Sequence, residues 1–192
     1  MTEAEPTNQT IKTIQTIKQS NNLALTLKFW PLIALLTIGL CYLTQTVAKW
    51  FGIELPDQAN IELVKRYAGW NWNFAFLCLQ VIVLLPAVEE LIFRYLLFKL
   101  PAKWAGKRER RSGLLTAFTK MTPWATFSSA LFSAAHYIFQ PWPDAAFIAL
   151  FFFGLAQCWL YKKTAHLWCA ILNHALFNLT NLVLLFILPE AA

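Results

Sequence analysis

Five long apolar stretches alternate with polar segments along the 192-residue chain. They cover residues 29–48, 73–98, 122–140, 145–161 and 166–188. A run of about 20 apolar residues is long enough to cross the hydrocarbon core of a bilayer as a helix. Because the backbone has no water to bond to in lipid, each stretch must satisfy its own hydrogen bonds, which favours helices. The pattern predicts an all-α, polytopic transmembrane helical bundle of about five spans.

The polar segments divide the chain into three parts. Residues 1–28 form a polar N-terminal tail in which Ile11, Ile14 and Ile17 recur every third residue. This spacing predicts either a short interfacial helix or a disordered tail. Residues 29–72 hold an anchor helix and a loop, and residues 73–188 carry the side chains that indicate chemistry. The first apolar stretch is too long for the core of a cleavable signal peptide.

Composition places the chain in a membrane. Hydrophobic residues make up 58% and charged residues 14%, whereas soluble domains carry about a quarter charged residues. The net charge of +6 comes from basic residues between apolar stretches. We attribute it to topology and anionic lipid and expect no nucleic-acid partner. The four cysteines lie in apolar runs without C-x-x-C spacing, which predicts core packing rather than a disulfide or metal site.

The distribution of Lys and Arg predicts the orientation. The segment 99–121 holds seven of the 16 basic residues, and the turn 140–144 holds none. The positive-inside rule then places the N-terminus and the segment 99–121 in the cytoplasm and the C-terminus outside. In a bacterium such a multi-pass protein would lie in the cell membrane.

The second apolar stretch contains Glu89, Glu90 and Arg94. A charge near the middle of a membrane helix costs about 2.5–3.5 kcal/mol, so three of them indicate a functional site. Glu90 and Arg94 are four residues apart and are expected to pair. Glu89 lies about 100° round the helix, which makes it the freer carboxylate and the candidate general base. Pro86 predicts a kink beside them. The alternative is a buried ion-pair cluster that only stabilises packing.

Two further stretches supply polar side chains at helical spacing. His136 lies in the third stretch, and His174 and Asn178, four residues apart, share a face of the fifth. A lone histidine in an apolar helix is usually a packing residue. Two histidines on separate helices and a free carboxylate on a third favour one shared site, because ionisable groups in a membrane seek one another.

Small residues predict where the helices pack closely. Ala130 and Ala134, like Ser129 and Ser133, have the small-xxx-small spacing of close helix pairs. Gly154 lies in the middle of the fourth stretch and is predicted to be a packing point.

Two chemistries fit these residues. In one, Glu89 deprotonates a water that the histidines and Asn178 orient, and these groups stabilise the oxyanion. In the other, Glu89, His136 and His174 hold a divalent metal such as Zn²⁺ whose bound water attacks. Both hydrolyse a peptide bond. No Ser or Cys nucleophile lies beside a base in these motifs, which argues against a covalent mechanism.

Three short motifs resemble the CPBP family of intramembrane proteases, also called Abi or CAAX-protease-like. The family patterns E-E-x-x-x-R, F-x-x-x-H and H-x-x-x-N stand here as 89–94, 132–136 and 174–178. The resemblance covers about residues 73–188 and implies an intramembrane endopeptidase, glutamic or metallo, that cuts a membrane-associated or C-terminally tagged protein. It implies that Glu89 activates water with His136 as its partner. His174 and Asn178 would then be metal ligands or oxyanion stabilisers.

The depth of His136 needs an explanation. It falls near the end of the third predicted span, whereas Glu89 and His174 lie nearer mid-membrane. The span could continue past residue 140, the site could be shallow on one side, or one boundary could be misplaced. We favour a misplaced boundary.

Two other classes of function are compatible with the sequence. The first is a non-catalytic membrane scaffold or a bacteriocin-immunity-type protein of the same fold, in which the polar cluster only packs. The second is a small proton-coupled carrier, which five spans without an internal repeat make less suitable. His166, the third histidine, lies outside the motifs and receives no role.

Overall fold

A computed structural model describes residues 8–55, 64–69, 71–107, 114–138 and 144–187. These residues contain five long helices and no strand. The helices are α1, Asn8–Trp50; α2, the helical segment 72–107; α3, Leu114–Ala135; α4, Ala146–Thr164; and α5, Leu167–Ile187. The prediction of an all-α helical bundle is confirmed.

Helix α1 is much longer than the predicted anchor. Its 43 residues would extend about 65 Å at 1.5 Å per residue, about twice the thickness of a hydrocarbon core. Asn22 and Thr26 are buried, and the Asn22 amide donates to the Thr164 carbonyl at the end of α4, 3.4 Å away. The prediction of a disordered tail is therefore wrong for residues 8–28. Residues 1–7 lie outside the described residues.

Helix α2 changes its winding on both sides of the acidic residues. Gln80–Leu84 and Leu91–Lys99 are π-helical, and Leu85–Glu90 between them is α-helical. Pro86 stands near the start of that middle segment, where it has no N–H to donate to the preceding π-helical turn. The helix therefore runs through the proline. Single π turns inside helices are frequent at functional sites.

The loops at the basic end are shorter than predicted. Helix α2 continues through Leu100–Lys107 and α3 begins at Leu114, so the predicted loop 99–121 is wrong at both ends. Residues 108–113 lie outside the described residues. Helix α3 ends at Ala135, and a single 3₁₀ turn, His136–Ile138, follows it. The helix thus ends earlier than predicted, and His136 does stand at its end.

Three stretches among the described residues are long and apolar enough to cross a membrane: Lys18–Trp50, Trp72–Trp104 and Leu167–Ile187. Large apolar side chains lie on the outside of the bundle; on α1, for example, Leu35 is 70% and Leu36 is 63% exposed. Apolar surfaces of this size promote aggregation in water and are typical of a membrane interface. The protein is an integral membrane protein. The third and fourth predicted spans fall on α3 and α4, and the count of five spans stays a prediction.

Helix α4 packs against α1, α3 and α5 and forms the centre of the bundle. Phe153 and Leu160 on α4 and Phe132 on α3 are fully buried. The prediction that Gly154 is a packing point is confirmed, because Ser129 of α3 lies directly over it.

We expect Gly154→Ala to destabilise the fold. A Cβ at this position would lie 2.9 Å from the Ser129 Cβ and 3.1 Å from its Cα, so the α3 backbone would have to shift. Overpacking of this kind costs about 1–3 kcal/mol. The measurement is the free energy of unfolding in mixed detergent micelles, followed by tryptophan fluorescence.

Gly39→Ala is the matched control on α1. Nothing lies within 4 Å of its added Cβ, and alanine is favoured over glycine in a helix by about 0.5–1 kcal/mol. The two variants should therefore change stability in opposite directions. Equal effects would contradict the close approach of α3 and α4.

Candidate active site

The imidazole of His174 on α5 bridges the two adjacent carboxylates of α2. Its Nδ1 lies 2.9 Å from Glu90 Oε1, and its Nε2 lies 3.5 Å from Glu89 Oε2. An ionised carboxylate only accepts hydrogen bonds, so the contact with Glu90 assigns a proton to Nδ1. The longer contact with Glu89 lies beyond the usual range of a direct hydrogen bond. His174 therefore links the second and fifth helices at the acidic motif.

Arg94 forms the other side of the cluster. Its Nε lies 3.0 Å from Glu90 Oε2, and both side chains are fully buried. The two groups form an ion pair, although they are not aligned as a hydrogen bond. The predicted pairing four residues apart is present. Glu90 thus contacts a guanidinium with one oxygen and an imidazole with the other.

Glu89 has a different environment from Glu90. Its side chain is 27% exposed, whereas that of Glu90 is fully buried. Its contact within the cluster is the His174 imidazole, and the guanidinium is bound by Glu90. Glu89 is therefore the carboxylate of the pair that a water or a substrate can reach.

The Phe132 ring lies at the centre of these groups and is fully buried. The Arg94 guanidinium stands over its face, 4.7 Å from the ring centroid. The rings of His136 and His174 meet it edge to face at centroid distances of 4.7 and 5.8 Å. Arg94 Nη1 and Nη2 have no hydrogen-bond partner among the described residues, and the cation–π contact offsets part of that cost. The phenylalanine of the F-x-x-x-H motif thus packs against the guanidinium and both imidazoles of the site.

His136 is half-buried and its contacts are local. Its Nδ1 lies 2.9 Å from the Phe132 carbonyl oxygen, one turn earlier. Because a carbonyl only accepts, this bond assigns the proton to Nδ1 and leaves Nε2 as an acceptor. The structure brings His136 and His174 to the same aromatic ring and holds each through a hydrogen bond at its own Nδ1.

Asn178 fixes the position of the last helix against α2. Its amide nitrogen donates to the Val81 carbonyl oxygen, 2.8 Å away, in the first π-helical segment. In the second π-helical segment the Phe93 carbonyl accepts from the Ser128 hydroxyl of α3. Each altered turn therefore has one carbonyl satisfied by a side chain from a neighbouring helix, which stabilises the irregular winding.

The described residues do not form a three-ligand metal site as they stand. Among the residues that the structure describes, no three His, Cys, Asp or Glu side chains are grouped so that they could hold a metal ion. The proposed ligands Glu89, His136 and His174 therefore do not converge on one point. Each histidine uses Nδ1 for a bond within the protein, His136 to its own helix and His174 to Glu90. Nε2 is therefore the ring nitrogen that each presents to the site, an arrangement that metal-bound histidines also have.

Several buried polar groups near the site were not predicted from the sequence. Asn173, adjacent to His174, is fully buried, and neither of its amide atoms has a hydrogen-bond partner among the described residues. Gln157 donates to the Ala170 carbonyl and joins α4 to α5. Polar residues inside apolar stretches were the available signal for both. All four cysteines are unpaired, and two of them are buried.

The larger part of the chain matches a known protein family. Residues 71–180 match a protein family described as type II CAAX prenyl endopeptidase, Rce1-like. The match covers more than half of the chain and includes all three motifs. No curated protein and no solved structure matches the chain.

Proposed function

Because the chain belongs to the Rce1-like family of CAAX-type intramembrane endopeptidases, we propose that Glu89 activates the water that hydrolyses a peptide bond of its substrate. Membership implies a membrane-associated protein substrate, and we propose that the cut lies in a C-terminal tail or tag. One observation carries the assignment. Glu89 is the partly exposed carboxylate of the cluster, while Glu90 is fully buried against Arg94 and His174.

The charges of the cluster support this division of roles. Arg94 balances the charge of Glu90. The other carboxylate, Glu89, has no such cation beside it among the described residues and lies 3.5 Å from Nε2 of His174. An unprotonated Nε2 and an ionised carboxylate would repel each other. We therefore propose that Nε2 carries a proton when Glu89 acts as the base. Glu90 then stabilises the imidazolium from the other side, as the carboxylate of a catalytic triad does.

The reaction follows from these roles. Glu89 takes a proton from a bound water as the water oxygen attacks the carbonyl carbon of the scissile bond. The tetrahedral intermediate collapses, the carbon–nitrogen bond breaks, and Glu89 returns the proton to the leaving amine. The water oxygen stays in the new carboxyl group, which releases its remaining proton to solvent as it becomes a carboxylate. General acid–base catalysis of this kind contributes about 10²–10⁴-fold in rate.

The other site residues would stabilise or orient the reacting groups. His174 donates from Nε2 to the oxyanion, with Asn178 as a second donor, since only one hydrogen of its amide is used at Val81. His136 accepts a hydrogen bond from the attacking water at Nε2. Glu90 and Arg94 are positioning residues, because they act through His174.

We propose that the N-terminus and the basic end of the bundle face the cytoplasm and the C-terminus lies outside. The contact of Asn22 with Thr164 brings the first half of α1 to the end of α4. Lys99 Nζ lies 5.3 Å from the Tyr161 ring centroid at the same end. Basic residues from three helices therefore gather at one end of the bundle, which supports a cytoplasmic location.

The test is peptide cleavage by the purified protein in lipid vesicles. The substrates are C-terminal peptides with and without a prenylated cysteine, and mass spectrometry locates the cut. We expect cleavage to continue unchanged in the presence of a chelator, because the described residues do not form a three-ligand metal site. The matched control is the same reaction with chelator presaturated with Zn²⁺.

Other outcomes would contradict the proposal in distinct ways. Loss of cleavage with free chelator and recovery with added Zn²⁺ would favour the metal mechanism. No cleavage of any peptide by the wild type would favour the membrane scaffold.

A further inference from the structure

A buried carboxylate lies beside the turn that carries His136. Asp144, at the start of α4, is 7% exposed. Its Oδ1 accepts hydrogen bonds from the backbone N–H groups of Ala146 at 2.7 Å and Phe147 at 3.2 Å, and from the Tyr137 hydroxyl. Asp144 therefore caps α4 and binds the residue that follows His136.

Two more contacts join the same two elements. The Tyr137 ring packs on the Phe147 ring at a centroid distance of 5.3 Å. The Ser133 hydroxyl donates to the Phe147 carbonyl, 2.7 Å away. Residues before and after His136 are thus both tied to the first turn of α4.

These ties matter because the His136 turn has little rigidity of its own. A 3₁₀ turn has poorer hydrogen-bond geometry than an α-helix, and this one is only three residues long, His136–Ile138. Within it, the His136 ring is oriented by its bond to the Phe132 carbonyl and by the Phe132 ring. The direction in which Nε2 points therefore depends on how the whole turn is held.

We propose that Asp144 and Tyr137 are positioning residues that fix the orientation of His136. The inference rests on the proposed function in one respect, the role of His136 toward the attacking water. A buried carboxylate with three donors is a strong anchor, because leaving it unpaired is costly. Asp144 binds the first turn of α4 and the Tyr137 hydroxyl at once, so it holds the His136 turn in a fixed place against α4.

The test uses His-labelled protein in nanodiscs and the ring resonances of its three histidines. Single His→Gln variants assign the signals. We expect Tyr137→Phe, which removes only the hydroxyl, to shift or broaden the His136 signals and to leave those of His174 unchanged. Asp144→Ala should do the same, whereas Asp144→Asn keeps an acceptor oxygen and should preserve them. Tyr42→Phe, at an exposed ring, is the matched control.

Kinetics in vesicles provide the second readout. Tyr137→Phe should lower kcat about tenfold with little change in KM, since a misplaced group slows chemistry more than binding. Unchanged His136 signals in both Tyr137→Phe and Asp144→Ala would overturn the inference. Shifted signals with unchanged kcat would support the positioning and remove His136 from the proposed mechanism. The resonance test is valid even if no peptide is cleaved.

Discussion

Glu89→Gln should abolish peptide cleavage and leave the protein folded. Glutamine has nearly the same shape but cannot take up a proton, so we expect kcat to fall by about 10²–10⁴-fold. The Glu89 side chain is partly exposed and is not the partner of Arg94, so removing its charge should change the unfolding free energy little. The measurement combines the cleavage rate in vesicles with unfolding in mixed micelles.

Glu54→Gln is the control for this variant, because it removes a carboxylate from an exposed position outside the cluster. It should cleave at the wild-type rate. If Glu89→Gln also cleaves at that rate, Glu89 is not the base, and the polar cluster would be a packing device.

Arg94→Met should produce the largest loss of stability. It leaves the fully buried Glu90 without the guanidinium 3.0 Å away. Breaking a buried ion pair by removing one partner costs about 3–5 kcal/mol, because the remaining charge is not compensated. Loss of the contact with the Phe132 ring adds to the effect. The unfolding free energy in mixed micelles measures it.

The double variant Glu90→Gln/Arg94→Met separates charge from packing. It removes both charges and keeps an oxygen that can accept from His174, so it should recover much of the stability that Arg94→Met loses. Lys103→Met, at an exposed position on the same helix, controls for loss of a cation. Equal destabilisation by Arg94→Met and Lys103→Met would mean that the ion pair contributes little.

Relations between residues on one helix were predictable from the sequence. The pairing of Glu90 with Arg94 and the greater freedom of Glu89 follow from helical geometry, which sets which side chains share a face. The close approach at Gly154 also followed, because a missing side chain leaves room for a neighbouring helix.

Relations between helices were not predictable in the same way. His174 was expected near a carboxylate, but its bridge between Glu89 and Glu90 depends on how α5 lies against α2. Asn178 was expected to act beside His174. Its observed hydrogen bond is to the Val81 carbonyl of a π-helical turn. The sequence contains no signal that distinguishes a π turn from an α turn.

Helix ends were the least predictable feature. Polar composition at residues 8–28 and 99–107 indicated a tail and a loop, and both are helical. Most helices in proteins are stabilised by tertiary packing, so a polar segment can also be helical, as the segment around Asn22 is against α4. The tie from Asp144 to the His136 turn was missed for a related reason, since a single acidic residue in a turn carries no periodic pattern.

The amino-acid order alone was enough to establish an integral membrane, all-α protein, its three motifs and its family resemblance. Hydrophobic length, charge and helical spacing act locally along the chain, and a bilayer leaves a spanning segment few alternatives to a helix. The cluster around Phe132, the bridge at His174 and the anchoring of His136 required the folded structure. They depend on side-chain packing between helices, which is determined by shape and distance in three dimensions and leaves no regular pattern in the sequence.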